Sequence, residues 1–205
     1  MTERFDRGAK NWDEKPRRIK LAKSVCESIK ARINIKDGSR ITDFGTGTGL
    51  ILLGLSDVAG KLTGLDFSRG MLDVLEEKAK TAGIEIHTRV FDIEKDEFEP
   101  EGADIITSSM VTHHLKHPEK LFEKAYKGLA KGGYLCVSDL YEEDGGFHDN
   151  PGGDVHHHGF SPELVRVLFE KAGFKDIVVE KAAEVEKEKG GVVTAYPVFL
   201  ATGVK

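Results

Sequence analysis

Apolar residues recur at helical spacing between Arg17 and Ile33, where Ala22, Val25, Ile29 and Ile33 fall three or four positions apart and predict an amphipathic helix. Ahead of it, RFDRGAKNWDEKP carries only two large apolar residues, Phe5 and Trp12, which are expected to dock on the body of the domain. Near Arg40 the period changes. RITDF reads as a short strand, followed by GTGTG and the apolar run LILLGL, and KLTGLD reads as a second strand. Ser68 is placed to N-cap a helix bearing Met71, Leu72, Leu75 and Ala79 on one face, with Gly83 at its end. IEIHTRVFD and ADIITSSM supply a third and a fourth strand. A helix from about Pro118 directs Leu121, Phe122, Ala125 and Leu129 inward, and GGYLCVSDL is the fifth strand. Ser161 and Pro162 open a further helix, with Leu164, Val165, Leu168 and Ala172 inward and Gly173 past its end. DIVVEKAAEVE and YPVFLATGVK read as two last strands joined around Gly190 and Gly191, with Pro197 at the start of its strand.

Strands alternate with helices along most of the chain, so a doubly wound α/β fold with a parallel sheet covered on both faces is expected. The ending, helix, strand, turn, strand, makes the last strand antiparallel to its sequence neighbour. With no internal repeat or low-complexity linker, 205 residues read as one domain, an N-terminal helical arm over 1–35 and a core over 36–205.

Composition narrows the partners. Hydrophobic residues at 39% suffice for a core, while a net charge of −5 and a pI of about 5.9 count against a nucleic-acid binder, which favours a basic face. The N-terminus MTERFDRGAK lacks a signal-peptide core and no run reaches membrane-spanning length, so a cytoplasmic location without membrane attachment is expected. Cys26 and Cys136 form no CxxC and are expected to be reduced, buried thiols.

In open α/β sheets ligands bind beyond the carboxyl ends of the strands, and DFGTGTG lies there, after the first strand. Gly45, Gly47 and Gly49 permit sharp turns and close approach of a ligand. Asp43 precedes the loop, Asp66 ends the second strand, and Asp92 ends the third. A carboxylate at the second position can accept from both ribose hydroxyls of a nucleoside, and one at the third can read an adenine amine. The dinucleotide fingerprint GxGxxG fails, because Leu50 and Leu52 occupy the third-glycine positions in its two registers. Asp43 would also oppose a pyrophosphate, whereas an ammonium group suits it.

ITDFGTGTGLILLGL, LTGLDFS, FD at 91–92, ADIITSSMVTHHL and LAKGGYLCVSDL together resemble the successive motifs of class I S-adenosylmethionine-dependent methyltransferases, over roughly Ile33 to Lys205. The likeness is greatest to the small-molecule branch called type 11. The resemblance implies a Rossmann-like seven-stranded sheet in the order 3-2-1-4-5-7-6 with the last strand antiparallel, and S-adenosyl-L-methionine as cofactor, leaving as S-adenosyl-L-homocysteine. Carried over by position, it places Gly45, Thr46, Gly47 and Gly49 beneath the cofactor and Asp43 near its amino group. Asp66 would bind the ribose, Phe67 would line the adenine, and Asp92 would accept from the adenine amine with Ile93 beside the ring. Ser109 and Met110 would lie near the methionine portion and the transferred methyl.

Transfer of a methyl from a sulfonium is an in-line displacement that needs alignment first, and a general base only if the acceptor arrives protonated. The segment SSMVTHHL lacks the Pro-Pro-aromatic motif of nucleobase amino-methylating enzymes, and the acidic pI agrees with a small-molecule acceptor. Four of the eight histidines fall in FHDNPGGDVHHHGF, Phe147 to Phe160, after the fifth strand. Loops of this length are usually lids or binding loops. His148 and His158 are expected to contact substrate or move a proton, with His113, of the His113-His114 pair, a third catalytic candidate. His156, His157 and Trp12 are expected to wall the acceptor. His148, Asp149, Asp154 and His156 to His158 could ligate a metal, but the loop matches neither HExxH nor a zinc-finger spacing, so no metal is expected. A non-catalytic cofactor-binding subunit and a nucleotide-dependent oxidoreductase remain as alternatives, and oligomeric state is not legible.

Overall fold

The buried run at 41–44 lies in β1 (Ser39–Phe44), which runs parallel between β2 (Ala59–Asp66) and β4 (Ala103–Ser109). A strand covered on both faces has no solvent side to keep polar, which is why RITDF shows no alternation. The computed structural model describes residues 2–98, 102–148 and 154–205. Outward from β2 lies β3 (His87–Val90), and beyond β4 come β5 (Leu129–Leu140), β7 (Val192–Val204) and β6 (Lys175–Lys189). The order is β3-β2-β1-β4-β5-β7-β6, with β7 antiparallel to both its neighbours, as the resemblance implies.

Helices cover both faces. On one, α2 (Pro16–Arg32) and α3 (Leu50–Gly54) join α4 (Arg69–Ala82) over a core that includes Val25, Ile29, Leu52 and Leu72. On the other, α5 (Glu119–Gly128) and α6 (Pro162–Ala172) pack Phe122 against Phe169. Ser68 and Ser161 cap α4 and α6 by accepting from Met71 N–H and Leu164 N–H, and Gly83 and Gly173 close them in the left-handed conformation. The arm forms α1 (Thr2–Gly8) and a 3₁₀ turn (Ala9–Glu14). Among the described residues, no helix is long and apolar enough to cross a membrane. Both cysteines are free and buried.

Four details depart from the sequence reading. The third strand stops at Val90, so Asp92 lies two residues beyond it, in the turn that carries the chain away from the sheet. Leu129 opens β5 and does not extend the preceding helix. Leu164 is 45% exposed while Phe169 is buried, because the inward stripe of α6 runs through Val165, Leu168 and Phe169. Pro197 falls inside β7, one residue past the last β5 pair (Leu140 with Val198) and beside a bulge in β6, where a missing N–H does not break a continuing ladder.

Candidate active site

A cavity of about 540 Å³ opens at the carboxyl ends of β1, β2 and β4, where the helix connections diverge. Its floor is the glycine loop. Gly45 takes a φ of 69°, and a Cβ there would lie 2.4 Å from Val111 Cγ2, so backbone and packing both require glycine. Gly47 takes a φ of 55°, but a Cβ there would meet nothing within 4 Å. This glycine leaves the cavity bare. Thr46 lines it too, whereas Gly49 faces Leu75.

Carboxylates ring this end. Asp43, 2% exposed, accepts from Thr107 Oγ1 at 2.6 Å, and burial nevertheless pushes its carboxyl up to about 7. Asp66 accepts one backbone N–H on each oxygen, from Gly47 and from Ser68, both at 2.8 Å, and burial raises it as well. Each oxygen keeps a further acceptor position. Asp92 is opposed by burial, but hydrogen bonds from Lys95 Nζ at 2.7 Å and Glu94 N–H at 2.9 Å hold it below the usual range. Phe67, Ile93, Ser109 and Met110 also line the cavity. Met110 adopts a positive φ of 57°, a strained conformation for its type, as the chain leaves β4.

The arm roofs the cavity. Asp6 accepts from Ser68 Oγ at 2.5 Å and Gly70 N–H at 3.0 Å, bonds that hold its carboxyl low. Asp13 accepts from Thr48 Oγ1 at 2.7 Å and Lys78 Nζ at 2.6 Å. Between these clamps Trp12 lines the cavity beneath the Arg18 guanidinium, 3.5 Å from the ring centroid, and Phe5 packs edge-on to Phe67 at 5.4 Å. Burial brings Arg18 down to about 10.

Histidines add to the lining. The turn after β4 supplies His113 and His114, and the loop after β5 supplies His148 and His156; all four line the cavity. His113 and His157 meet through the backbone: the His113 carbonyl accepts from the N–H groups of both His156 and His157, at 2.9 and 3.1 Å, folding the loop over the turn. The histidine loop is closed at its base by Glu143 N–H on the His158 carbonyl, 2.9 Å. Burial lowers His114 and His148 to about 4, so both rings are neutral near neutral pH.

Two of the expected histidines are elsewhere. His157 packs against Phe160, and His158 is more than half exposed, 3.4 Å from Glu143; neither reaches the cavity. An extended 156–158 segment with its first residue inward would place His158 inward too, but the consecutive N–H groups of His156 and His157 both point at the His113 carbonyl, so the segment is not extended there. Asp149, Gly152 and Gly153 lie outside the described residues. The sequence reading missed Asp139, whose carboxylate holds His113 from inside β5, and Val185 and Lys187, which reach the cavity from β6. Strand alternation could have found the inward β6 residues, but no local pattern marks which of them meet a ligand.

The sequence matches the family model described as a methyltransferase domain over residues 17–179. It is 31% identical over 159 residues to an uncharacterized methyltransferase of Schizosaccharomyces pombe, covering 70% of this chain and 56% of that one. The chain spans about half the length, or less, of the curated relatives it matches. Among solved structures, a possible histamine N-methyltransferase of Thermotoga maritima superposes with a TM-score of 0.71 at 20% identity, covering 100% of this chain and 99% of that one. A Haemonchus contortus phosphoethanolamine N-methyltransferase in complex with S-adenosyl-L-methionine gives 0.71 at 20% identity, over 88% of this chain and 52% of that one.

Proposed function

The chain belongs to the class I S-adenosylmethionine-dependent methyltransferases, and from that premise we propose that it methylates a small-molecule acceptor held between the glycine loop and the histidine wall. One observation carries the reading: Asp43, Asp66 and bare Gly47 line the same cavity as His113, His114 and His148.

The residues suit the cofactor. Asp43 is buried, and an ammonium beside it would return its raised carboxyl to the charged form. Asp66 has acceptor capacity left for two hydroxyls, and Phe67 with Ile93 offers apolar walls for a purine. Asp92, though bonded to Lys95, retains lone pairs for an exocyclic amine. When bound, S-adenosylmethionine supplies an electrophilic methyl group on a sulfonium. The protein then has to align an acceptor with that methyl and exclude water. Ser109 and Met110 line the same cavity, and the arm adds Phe5 and Trp12 to its lining. Histidine rings neutral near pH 7 offer the acceptor lone pairs in place of cationic charge.

The experiment is a methyl-transfer screen over thiols, phenols, carboxylates and amines, read as S-adenosylhomocysteine formed. Acceptor-dependent product is expected for at least one class. Tight cofactor binding with no turnover of any class would favour a non-catalytic subunit.

A further inference from the structure

Two separate segments bring three imidazoles to one point. A ring nitrogen from each of His113, His114 and His148 lies within 4.8 Å of the others, and all three residues line the cavity. His113 is 1% exposed, and its Nδ1 is engaged by Asp139 Oδ1 at 2.6 Å. In the neutral ring the proton then sits on Nδ1 and the lone pair on Nε2. That Nε2 is buried with no hydrogen-bond partner among the described residues, and so is His148 Nδ1. Leaving one such atom unsatisfied costs about 1–3 kcal/mol, and two of them occur in this one cluster. His114 Nδ1 is in turn bonded to the Asp154 carbonyl, which directs its Nε2 away from the backbone.

An imidazole backed by a carboxylate or a carbonyl has its tautomer and ring direction set for ligation. We propose that His113, His114 and His148 hold one divalent transition-metal ion, zinc by preference, with its remaining position open to the cavity for the thiol sulfur or hydroxyl oxygen of the methyl acceptor. Imidazole nitrogen suits zinc, and three protein ligands with one open position is the composition of catalytic zinc sites. The buried Asp139 carboxylate supplies compensating charge behind His113. Around tetrahedral zinc the nitrogens sit roughly 3.4 Å apart, a contraction that His148, on its loop, makes by a small movement. Spacing within the loop alone points to no metal, because two of the three ligands come from the turn after β4.

The acceptor half of this proposal rests on the methyltransferase reading; the metal half does not. A metal-held acceptor gives its proton to water on binding, which is how a thiol or phenol becomes a nucleophile at neutral pH. Its sulfur or oxygen then bonds the methyl carbon while the methyl–sulfonium bond breaks, the electron pair of that bond staying on the cofactor's sulfur.

The test titrates the untagged, chelator-stripped chain with Co(II), using visible ligand-field absorption, with calorimetry of S-adenosylhomocysteine alongside. One Co(II) per chain is expected, displaced by Zn(II), with bands that shift on adding 2-mercaptoethanol or phenol. His148→Gln, on the loop, is expected to weaken Co(II) affinity by about 10–100-fold while S-adenosylhomocysteine affinity and the thermal unfolding midpoint hold. His158→Gln is expected to change neither. No Co(II) uptake by the native chain, or equal uptake by His148→Gln, overturns the site. Uptake without a shift on adding thiol or phenol overturns the acceptor half. Uptake in a chain that fails to bind S-adenosylhomocysteine keeps the metal site and defeats the methyltransferase reading.

Discussion

His113 Nδ1 lies 2.6 Å from Asp139 Oδ1, and solvent reaches neither side chain. Asp139 also accepts from the His113 and Leu140 N–H groups, at 3.1 and 2.7 Å, so one carboxylate fixes both the backbone and the ring of the turn after β4. Asp139→Asn keeps the shape but not the charge. It is expected to lower stability by about 1–3 kcal/mol in urea unfolding and to weaken Co(II) binding about 10–100-fold, with cofactor affinity preserved. Unchanged Co(II) affinity would mean that the carboxylate only braces the turn.

That pair also marks where sequence reading stops. The glycine loop and Asp66 follow from short-range pattern, because strand, turn and helix signals lie within a few residues of the groups they position, whereas the strand order comes from the resemblance of the successive motifs to the family. His113, in the turn after β4, and Asp139, in β5, are 26 positions apart, and their meeting depends on the β4–β5 register, in which Ser109 pairs with Ser138. No periodicity records a register between strands separated by a helix. The same holds for His148, whose ring lies 5.0 Å from that of His113 although 35 positions separate them. His158 was misplaced because alternation fails at 156–157, where two consecutive N–H groups turn to one carbonyl.

Gly45 and Gly47 separate packing from ligand binding. Gly45→Ala puts a methyl 2.4 Å from Val111 at a positive φ and is expected to destabilise the chain by about 2–4 kcal/mol. Gly47→Ala meets no atom, so only its backbone conformation is penalised, by about 1–2 kcal/mol. Its larger effect is expected in calorimetry, as a loss of cofactor affinity greater than tenfold. Equal cofactor affinity in Gly47→Ala would remove that loop from the binding surface.

Asp43 carries a pH signature. Its carboxyl rises from 3.8 in the unfolded chain to about 7 in the fold, because burial outweighs the Thr107 bond. Between those values the folded state keeps a proton that the unfolded state has lost, so this group's contribution to stability falls as pH rises and levels off above about 7. Asp43→Asn is expected to remove that slope, seen as a difference in urea midpoint between variant and native chain across the same window. An ammonium ligand restores the carboxylate, so cofactor binding should release a proton below about pH 7, measurable by calorimetry in two buffers of different ionisation enthalpy. No proton release would separate Asp43 from the ligand's amino group.

Trp12 is the single tryptophan, and it lines the cavity under Arg18. Its emission is expected to change on saturation with S-adenosylhomocysteine, and Trp12→Phe to abolish the signal while binding persists in calorimetry. Asp13→Ala, which frees the arm from Thr48 and Lys78, should red-shift the emission of the ligand-free chain. An emission spectrum indifferent to ligand would place the arm away from the site.

The most direct measurement is calorimetry of the folded chain with S-adenosylmethionine, S-adenosylhomocysteine, NAD and NADP, repeated on Asp66→Ala. The predicted result is one site for each of the first two ligands and none for the dinucleotides. In the variant, loss of hydrogen bonds from hydroxyls to a charged carboxylate should weaken binding by about 10–150-fold. Absence of heat with S-adenosylmethionine and S-adenosylhomocysteine, or saturable binding of NAD or NADP, would contradict the account.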